Sequence, residues 1–528
     1  MLPFLVITPV LIAVWLYMLS TNKMAKIIAI LFQLVMTVVA FYLVFEARGG
    51  ELIDVVGAYD AILGIPLRAD TLAATFVLLT TIIFLLVSIY SLNQHESRTF
   101  WFLLFLLEAA FIGLFLTRDL FNIFVLGEVS TVTMAILLMY YRERRNMYYG
   151  MVFLVMNIVA MQFYLFGIGY MYMLTGGLDI AYISSQMYRL DRSDLILPYA
   201  LMMTKIGFKC ALVPLLSWTP KVRVYPNAPT AVMAVMSGLQ IKSAIYLLIR
   251  FQNMFEPIAA QDLFLIIGII TGFVGVVMAV SQTDIRMILA YHTISQAGLI
   301  IIGISSGAYY SFVGGLYHII SHAMFKTPLF LSAGIIIHSF GTGDVYKLKG
   351  VARRMPWVSA GCIAAVLGIT GAPLFIGSMS KYFLTADVPF SVNAAVVIIS
   401  LGTIISFIKF SGIFFGRSEL KGDIIKPELC RTIPVLILGF FCLFGGIFAP
   451  WFIQFLFQIP VEISIMSYLQ KMLIFAFSVA VGLLLYKKVI KGNAHLVRLG
   501  AINVGFRKII VGMCSFFAML LLYGFFNQ

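Results

Sequence analysis

The sequence predicts an all-α polytopic membrane protein, and three observations carry that prediction. Hydrophobic residues make up 62% of the 528 and charged residues only 11%, a balance that suits lipid and excludes a soluble globular or a disordered chain. Apolar stretches of about 20 residues, the length that crosses the hydrocarbon core, recur about sixteen times. Inside them stand one glutamate and six lysines: Glu128, Lys205, Lys209, Lys242, Lys326, Lys381 and Lys409. An ionisable group at the bilayer centre costs roughly 3 kcal/mol on insertion scales, so such groups face a bundle interior and mark ion or proton paths.

The first span, 3–20, lies in MLPFLVITPVLIAVWLYMLS, which lacks a basic start and a small-residue cleavage site. It reads as a retained helix rather than a signal peptide. Spans two to six follow at 25–45, 70–92, 99–117, 119–140 and 147–175, with Glu108 in the fourth and Glu128 in the fifth. The seventh, 195–220, carries Lys205 and Lys209 and then Pro214 and Pro220, which remove backbone donors and read as a broken helix. Spans eight to eleven, at 228–251, 262–281, 287–306 and 308–340, hold Lys242, His292 and the group His318, His322 and Lys326. The twelfth, 356–386, places Gly371, Pro373 and Gly377 ahead of Lys381 and reads as a second broken helix. Spans at 392–416, 432–457, 465–486 and 508–526 complete the set.

Two broken helices five spans apart imply an internal repeat, with residues 99–251 (spans four to eight) as the first unit and 262–417 (spans nine to thirteen) as the second. Five is odd, so the second unit is expected to be inverted. Inverted repeats with interrupted helices recur in transporters, where the interruption lines a hydrated cavity rather than facing lipid. Residues 1–98 and 432–528 flank the repeats with three spans each.

The net charge of +14 would point to nucleic acid in a soluble chain, but here the basic residues fall between spans. The odd-numbered connections hold 23 of the 36 lysines and arginines and the even-numbered ones six, which predicts cytoplasmic odd loops and both termini on the outer side of the cell membrane. The acidic loop with Glu46, Glu51, Asp54, Asp60 and Asp70 then faces outward. Lys471, near the outer end of the fifteenth span, can snorkel. The five cysteines lack metal or disulfide spacing, and GTGD at 341–344 has neither a strand nor a Walker-type lysine. No cofactor is indicated.

His318, His322 and Lys326 are spaced i, i+4, i+8, which stacks them on one helical face over about 12 Å. Histidine titrates near neutrality and desolvation disfavours a charged ammonium, so alternating groups with water between them can pass protons. Hydrogen bonds that merely hold helices together account for the same spacing equally well. A single haem takes ligands from opposite faces, which two histidines one turn apart do not offer. A buried glutamate is neutralised or paired, and Lys209 or Lys205 is the natural partner of Glu128 if spans five and seven touch. A static buried pair adds little stability, so a working role is favoured. Lys409 lies close enough to a cytoplasmic end to snorkel, and Glu108 fits either a structural or a working role.

The chain resembles the antiporter-like subunits shared by Mrp-type cation/proton antiporters, membrane-bound hydrogenase-type complexes and respiratory complex I. The resemblance runs from about residue 100 to 420 through DLFNIFVLGE, ending at Glu128, the stretch KCALVPLLSWTPKVRVYPNAPTAVMAVMSGLQIKSAIYLLIR from Lys209, TDIRMILAYHTISQAGLIIIG, LYHIISHAMFKTPLFLSAG and GAPLFIGSMSKYF. It implies a fourteen-helix antiporter-like core plus about two extra C-terminal spans. It also implies a proton path through Glu128 on the fifth helix, Lys209 on the broken seventh, Lys242 on the eighth, Lys326 with His318 and His322 at the centre, and Lys381 on the broken twelfth. Where many relatives have a PLHxWLPDAH-like segment this chain has PLLSWTPKVRVY, with Leu216 in place of the histidine and Lys221 in place of the acid, which puts the access route near Lys209 in question. The implied function is a non-catalytic, proton-translocating or cation/proton-antiporting subunit of a larger energy-converting complex. Its expected partners are other membrane subunits, further antiporter-like chains among them, with protons, and sodium as a second ion, as cargo. A stand-alone secondary antiporter and a non-transporting membrane anchor are the competing expectations.

Overall fold

The structure, a computed structural model, describes residues 1–18, 23–56, 64–94, 96–215, 228–417, 426–501 and 505–527. Helices α1 (Leu2–Met18), α2 (Lys23–Glu46) and α3 (Thr71–Ser91) lead into α4 (Arg98–Leu116), α5 (Leu120–Leu138), α6 (Arg144–Thr175), α7 (Arg192–Cys210) and α8 (Thr230–Met254). A second series comprises α9 (Gln261–Ser281), α10 (Ile285–Ser305), α11 (Tyr309–Phe340), α12 (Pro356–Thr370), α13 (Ile376–Leu384) and α14 (Phe390–Ser411). Helices α15 (Leu429–Ile447), α16 (Ile465–Leu485) and α17 (Phe506–Phe526) follow. Among the described residues thirteen helices are long and apolar enough to cross a membrane, while α1 and α12 are shorter apolar helices.

The all-α polytopic membrane fold is as expected, with two details that the sequence did not show. The loop after α2 forms an antiparallel hairpin of β1 (Leu52–Val56) and β2 (Ile65–Ala69). The fourteenth span is also split, because α15 stops at Ile447 and a separate helix, Ala449–Phe457, runs on.

Both expected breaks are present on the described side. Helix α7 ends at Cys210, where Ala211 turns left-handed with φ 61°, while Pro220, Leu216 and Lys221 lie outside the described residues, as does Asp60. Helix α12 ends on Gly371 at φ 82°, a conformation glycine adopts without a Cβ penalty. Leu374 follows at φ 69° before α13 begins. A third irregularity, a π-helical turn over Met236–Gln240 inside α8, leaves no proline or glycine-pair signature.

Helices α8 and α11 are buried along their whole apolar length and form the bundle centre with α10. Helices α9 and α10 approach through small residues, a packing mode that lets backbones meet in lipid. A Cβ on Gly275 would stand 2.5 Å from the Ser295 nitrogen, and the Ser295 hydroxyl donates to the Gly272 carbonyl at 3.0 Å. The C-terminal helices sit outside and each props a broken one. Helix α17 packs on α7, with Phe516 against Gly207. Helix α16 packs on α14, and its Tyr468 hydroxyl accepts the Leu374 N–H at 3.0 Å inside the α12–α13 break.

Aspartates set the helix starts. Asp119 caps α5 by accepting the Asn122 N–H at 2.6 Å, and Asp284 caps α10 by accepting the Arg286 N–H at 2.8 Å. Each also forms an isolated antiparallel bridge, Asp119 with Asp179 and Asp284 with Asp344, at the same chain separation. Asp70, which caps α3, is held by Arg250 at 2.6 Å and Arg118 at 3.3 Å. Arg118 also donates to the Tyr246 hydroxyl at 2.6 Å, so one carboxylate ties the starts of α3 and α5 to α8.

Burial pushes the Asp70 carboxyl up, but the charge and hydrogen bond of Arg250, with Arg118 behind them, outweigh it and hold the group below the usual carboxylate range. The folded value therefore lies below the unfolded one, and the pairing adds stability that is complete above the unfolded value of about 4 and lost as pH falls through the folded one. Thermal melts of Asp70→Asn beside the parent protein are expected to show a lower Tm for the variant at pH 6, with the gap closing below about pH 4.

Candidate ion path

Each of the four lysines expected to form the path rests on a backbone carbonyl. Lys209, near the end of α7, reaches the Gly127 carbonyl at 3.3 Å and the Ser130 hydroxyl at 3.5 Å. Glycine at 127 makes room for it, since a Cβ there would stand 4.0 Å from the lysine nitrogen and 2.5 Å from the Met161 methyl. Glu128 is half-buried, its Oε1 has no hydrogen-bond partner, and it joins no ion pair within 4 Å among the described residues. The expected direct ion pair is thus replaced by two groups side by side on the Gly127–Ser130 turn. Lys205 does not reach an aqueous end. It is 1% exposed and lies over the Tyr164 ring at 4.4 Å, a geometry in which the ring face compensates part of the lost hydration.

The central lysines rest on two backbone carbonyls, and a pair of hydroxyls bridges the residues that carry them. Lys242 is fully buried and donates to the Ser237 carbonyl at 2.5 Å, inside the π-helical turn. The Ser237 hydroxyl meets the Thr293 hydroxyl of α10 at 2.8 Å, and Thr293 donates to the Leu289 carbonyl at 3.1 Å. That same carbonyl accepts from Lys326 of α11 at 2.5 Å. A row of polar groups thus runs from α8 through α10 to α11, passing from the carbonyl to the hydroxyl of Ser237. Close approach permits it: a Cβ on Gly238 would stand 2.9 Å from the Thr327 hydroxyl.

His318 makes a separate set of contacts about two turns from Lys326 on the same helix. One ring nitrogen contacts the Ser380 hydroxyl of α13 at 2.8 Å and the other the Gln296 amide oxygen of α10 at 3.1 Å. Ser380 adjoins Lys381, whose ammonium donates to the carbonyls of Ile369 and Thr370, 3.1 and 3.2 Å away at the broken end of α12. Lys381 lines a small cavity of about 80 Å³ that α16 closes with Tyr468 and Lys471. Lys471, expected to snorkel, thus shares a cavity with Lys381. His322 is buried with both ring nitrogens unpartnered among the described residues, and so is His292 one turn along α10 from Leu289.

The geometry brings Lys242 and Lys326 into one set of polar contacts and His318 into a second with Gln296 and Ser380, next in the chain to Lys381, while Lys209 lies with Glu128 at the Gly127–Ser130 turn. Ser237, Thr293, Gln296 and Ser380 are the links that the sequence reading missed. Neutral hydroxyls and amides are common in membrane helices, and only the position of Gln296 at i+7 from Leu289 on the α10 face could have drawn attention to it. Lys409 does not snorkel: it is 4% exposed and donates to the Val280 and Gln282 carbonyls at 2.6 and 2.5 Å, closing the C-terminus of α9. Glu108 is fully buried and accepts a hydrogen bond from Gln33 of α2, away from the path. On the face of the odd-numbered connections, a polar cavity of about 770 Å³ is lined by Glu96, Tyr141, Arg286 and Arg431 and reaches Thr230 and Gly334, where α8 meets α11.

Comparison with known proteins follows the same outline. Residues 117–406 match the family described as NADH:quinone oxidoreductase/Mrp antiporter, TM. The chain is 29% identical to the D-type subunit of the Na(+)/H(+) antiporter of Alkalihalophilus pseudofirmus, over 77% of its own length and 86% of the relative's. It is also 29% identical to the N-type subunit of the NADH-quinone oxidoreductase of Desulforudis audaxviator, over 72% and 82% of the two chains. Among solved structures, a chain of the Mrp complex from Dietzia sp. DQ12-45-1b superposes with a TM-score of 0.77 at 22% identity, covering 95% of this chain and 99% of that one. A chain of the archaeal membrane-bound sulfane sulfur reductase superposes with 0.78 at 21% identity, over 91% and 99%. At those identities the superpositions speak for the fold.

Proposed function

The chain belongs to the NADH:quinone oxidoreductase/Mrp antiporter membrane family, and from that membership we propose that it is a proton-translocating or cation/proton-antiporting subunit of a larger energy-converting membrane complex. The observation that carries the reading is the polar line from Lys242 through Ser237, Thr293 and Leu289 to Lys326. Ionisable groups at that depth serve transfer when they face one another across a bundle interior. Relatives whose names make them parts of multisubunit antiporter and oxidoreductase systems support membrane-subunit partners, further antiporter-like chains among them.

In this reading the large polar cavity admits protons from the face of the odd-numbered connections. Water completes the path at His322 and His292, whose buried ring nitrogens require partners. The path leaves through His318, Ser380 and Lys381. Glu128 and Lys209 form its input control. An ionised carboxylate close to Lys209 favours the charged ammonium, and moving the two apart removes that stabilisation and sends the proton onward. Against a membrane potential, each outward charge costs about 2.3 kcal/mol per 100 mV, so the partners must supply the driving reaction. The alike bridges of Asp119–Asp179 and Asp284–Asp344 support residues 99–251 and 262–417 as inverted repeat units, flanked by 1–98 and 432–528.

Three experiments test this. Lys209→Ala and Glu128→Ala, each in an assembled complex reconstituted in liposomes, are expected to reduce proton uptake to near background, measured by quenching of a pH dye. Full pumping in both variants would mean that the charges only cement helices. Thr293→Val keeps the shape but removes the hydroxyl between Lys242 and Lys326. It is expected to slow uptake about tenfold, the rate counterpart of one hydrogen bond worth roughly 1.4 kcal/mol, with Thr293→Ser restoring it. Orientation follows from an impermeant maleimide applied to intact cells, in a background with Cys430 and Cys514 replaced. Labelling of the Glu51→Cys variant but not of Lys347→Cys is expected, and the reverse pattern would invert the proposed topology.

A further inference from the structure

We propose that a groove between α2, α3, α11 and α15, closed at one end by the helix Ala449–Phe457, is a binding site for an anionic phospholipid, with one acyl chain in an apolar slot and the phosphate at Arg48. The slot has a volume of about 390 Å³, inside the roughly 300–1,000 Å³ range of ligand pockets. Its wall is almost wholly hydrocarbon, with Val38, Leu78 and Ile320 facing in from three helices.

The few hydroxyls on that wall are already engaged. Thr37 donates to the Gln33 carbonyl at 2.9 Å, Thr75 to the Leu456 carbonyl at 2.8 Å and Tyr317 to the Gly445 carbonyl at 2.5 Å. A polar occupant would find no partner there and would lose its hydration uncompensated. A hydrocarbon chain loses nothing of the kind.

The far end is different. A second, open cavity lies beside the slot, lined by Phe45, Arg48, Gly49, Gln454 and Gln458. Phe455 separates the two, stacked on Trp451 at 5.4 Å and on Phe41 at 5.4 Å. The Arg48 guanidinium lies over Phe455 at 5.6 Å and over Phe45 at 5.7 Å. A guanidinium with two amides is a donor set for phosphate, and Trp451 is the kind of residue that marks the membrane interface. Val38 lies on α2 and Arg48 two residues beyond its end at Glu46, ten residues and about 15 Å along the axis, which is half of the roughly 30 Å hydrocarbon core. The charged and apolar ends are thus spaced as a phosphate and the deep part of its acyl chain are spaced in one leaflet. Tyr317 and Ile320 belong to α11, so the bound chain lies against the back of the helix that carries His318 and His322.

The test uses the full chain in mild detergent and native mass spectrometry with added phosphatidylglycerol or phosphatidylcholine, and inorganic phosphate as competitor. Wild type is expected to retain phosphatidylglycerol in preference, undisturbed by millimolar phosphate. Arg48→Glu and Leu78→Trp, which fills the slot, are each expected to weaken retention about tenfold while melting like the parent. Equal retention by all three proteins overturns the proposal, as does displacement by inorganic phosphate. Loss in Arg48→Glu alone overturns the slot. In the assembled complex, crosslinking that finds a neighbouring subunit's side chain seated against Leu78 overturns it as well. A Leu78→Trp variant with an altered melt is replaced by Val38→Trp at the opposite wall, which is held to the same outcomes.

Discussion

The structure depends on how a membrane interior accommodates an ammonium group, and for five of the six lysines predicted inside the spans the answer is a backbone carbonyl rather than a counter-ion, Lys205 lying over the Tyr164 ring instead. Lys209 uses Gly127, Lys242 uses Ser237, Lys326 uses Leu289, Lys381 uses Ile369 and Thr370, and Lys409 uses Val280 and Gln282. An uncompensated buried charge is costly, and a carboxylate partner would bring its own desolvation cost and a tight hold. A carbonyl dipole solvates the ammonium without neutralising it. In the proposed function, that leaves each path lysine free to change its protonation as neighbouring charges move, which a static ion pair would resist.

Supplying those carbonyls explains the irregular helices. Backbone acceptors inside a straight helix are occupied, so an additional donor needs a spare lone pair, a helix end or a wound turn. Lys381 takes the broken end of α12, Lys409 the end of α9 and Lys242 the π-helical turn of α8. Breaks in lipid must in turn be supported, and the C-terminal helices α16 and α17 provide that support. Tyr468 of α16 satisfies the Leu374 N–H within one break, and α17 packs along the other broken helix, α7. The two extra spans therefore pack as part of the bundle.

Lipid and protein contacts divide along the same lines. Interior helices α8, α10 and α11 meet through glycine, serine and threonine, which bring polar groups within hydrogen-bond distance. The outer helices keep aromatic and aliphatic faces toward the bilayer, and the aromatic ladder of Phe41, Phe455 and Trp451 forms one such face where an arginine interrupts it.

Much of the fold was legible from residues. Apolar stretches of spanning length located the helices, because a bilayer satisfies backbone groups only inside a helix or a closed barrel, and Gly371 with Pro373 located one break. The lysines and histidines inside the spans were legible too, since a charge in an apolar run is conspicuous. Three things were not. The hairpin β1–β2 lies in a polar loop with no membrane signal, and the π-helical turn at Met236–Gln240 has no residue that demands it. Which neutral groups connect the lysines depends on helices distant in sequence: Thr293 is an ordinary helix threonine until α8 brings Ser237 to 2.8 Å. By itself the sequence determined the number and place of the charges, because their cost in hydrocarbon depends only on local surroundings. Their partners were decided by the tertiary structure alone, because a hydrogen bond is set by distance and direction between helices that composition does not encode.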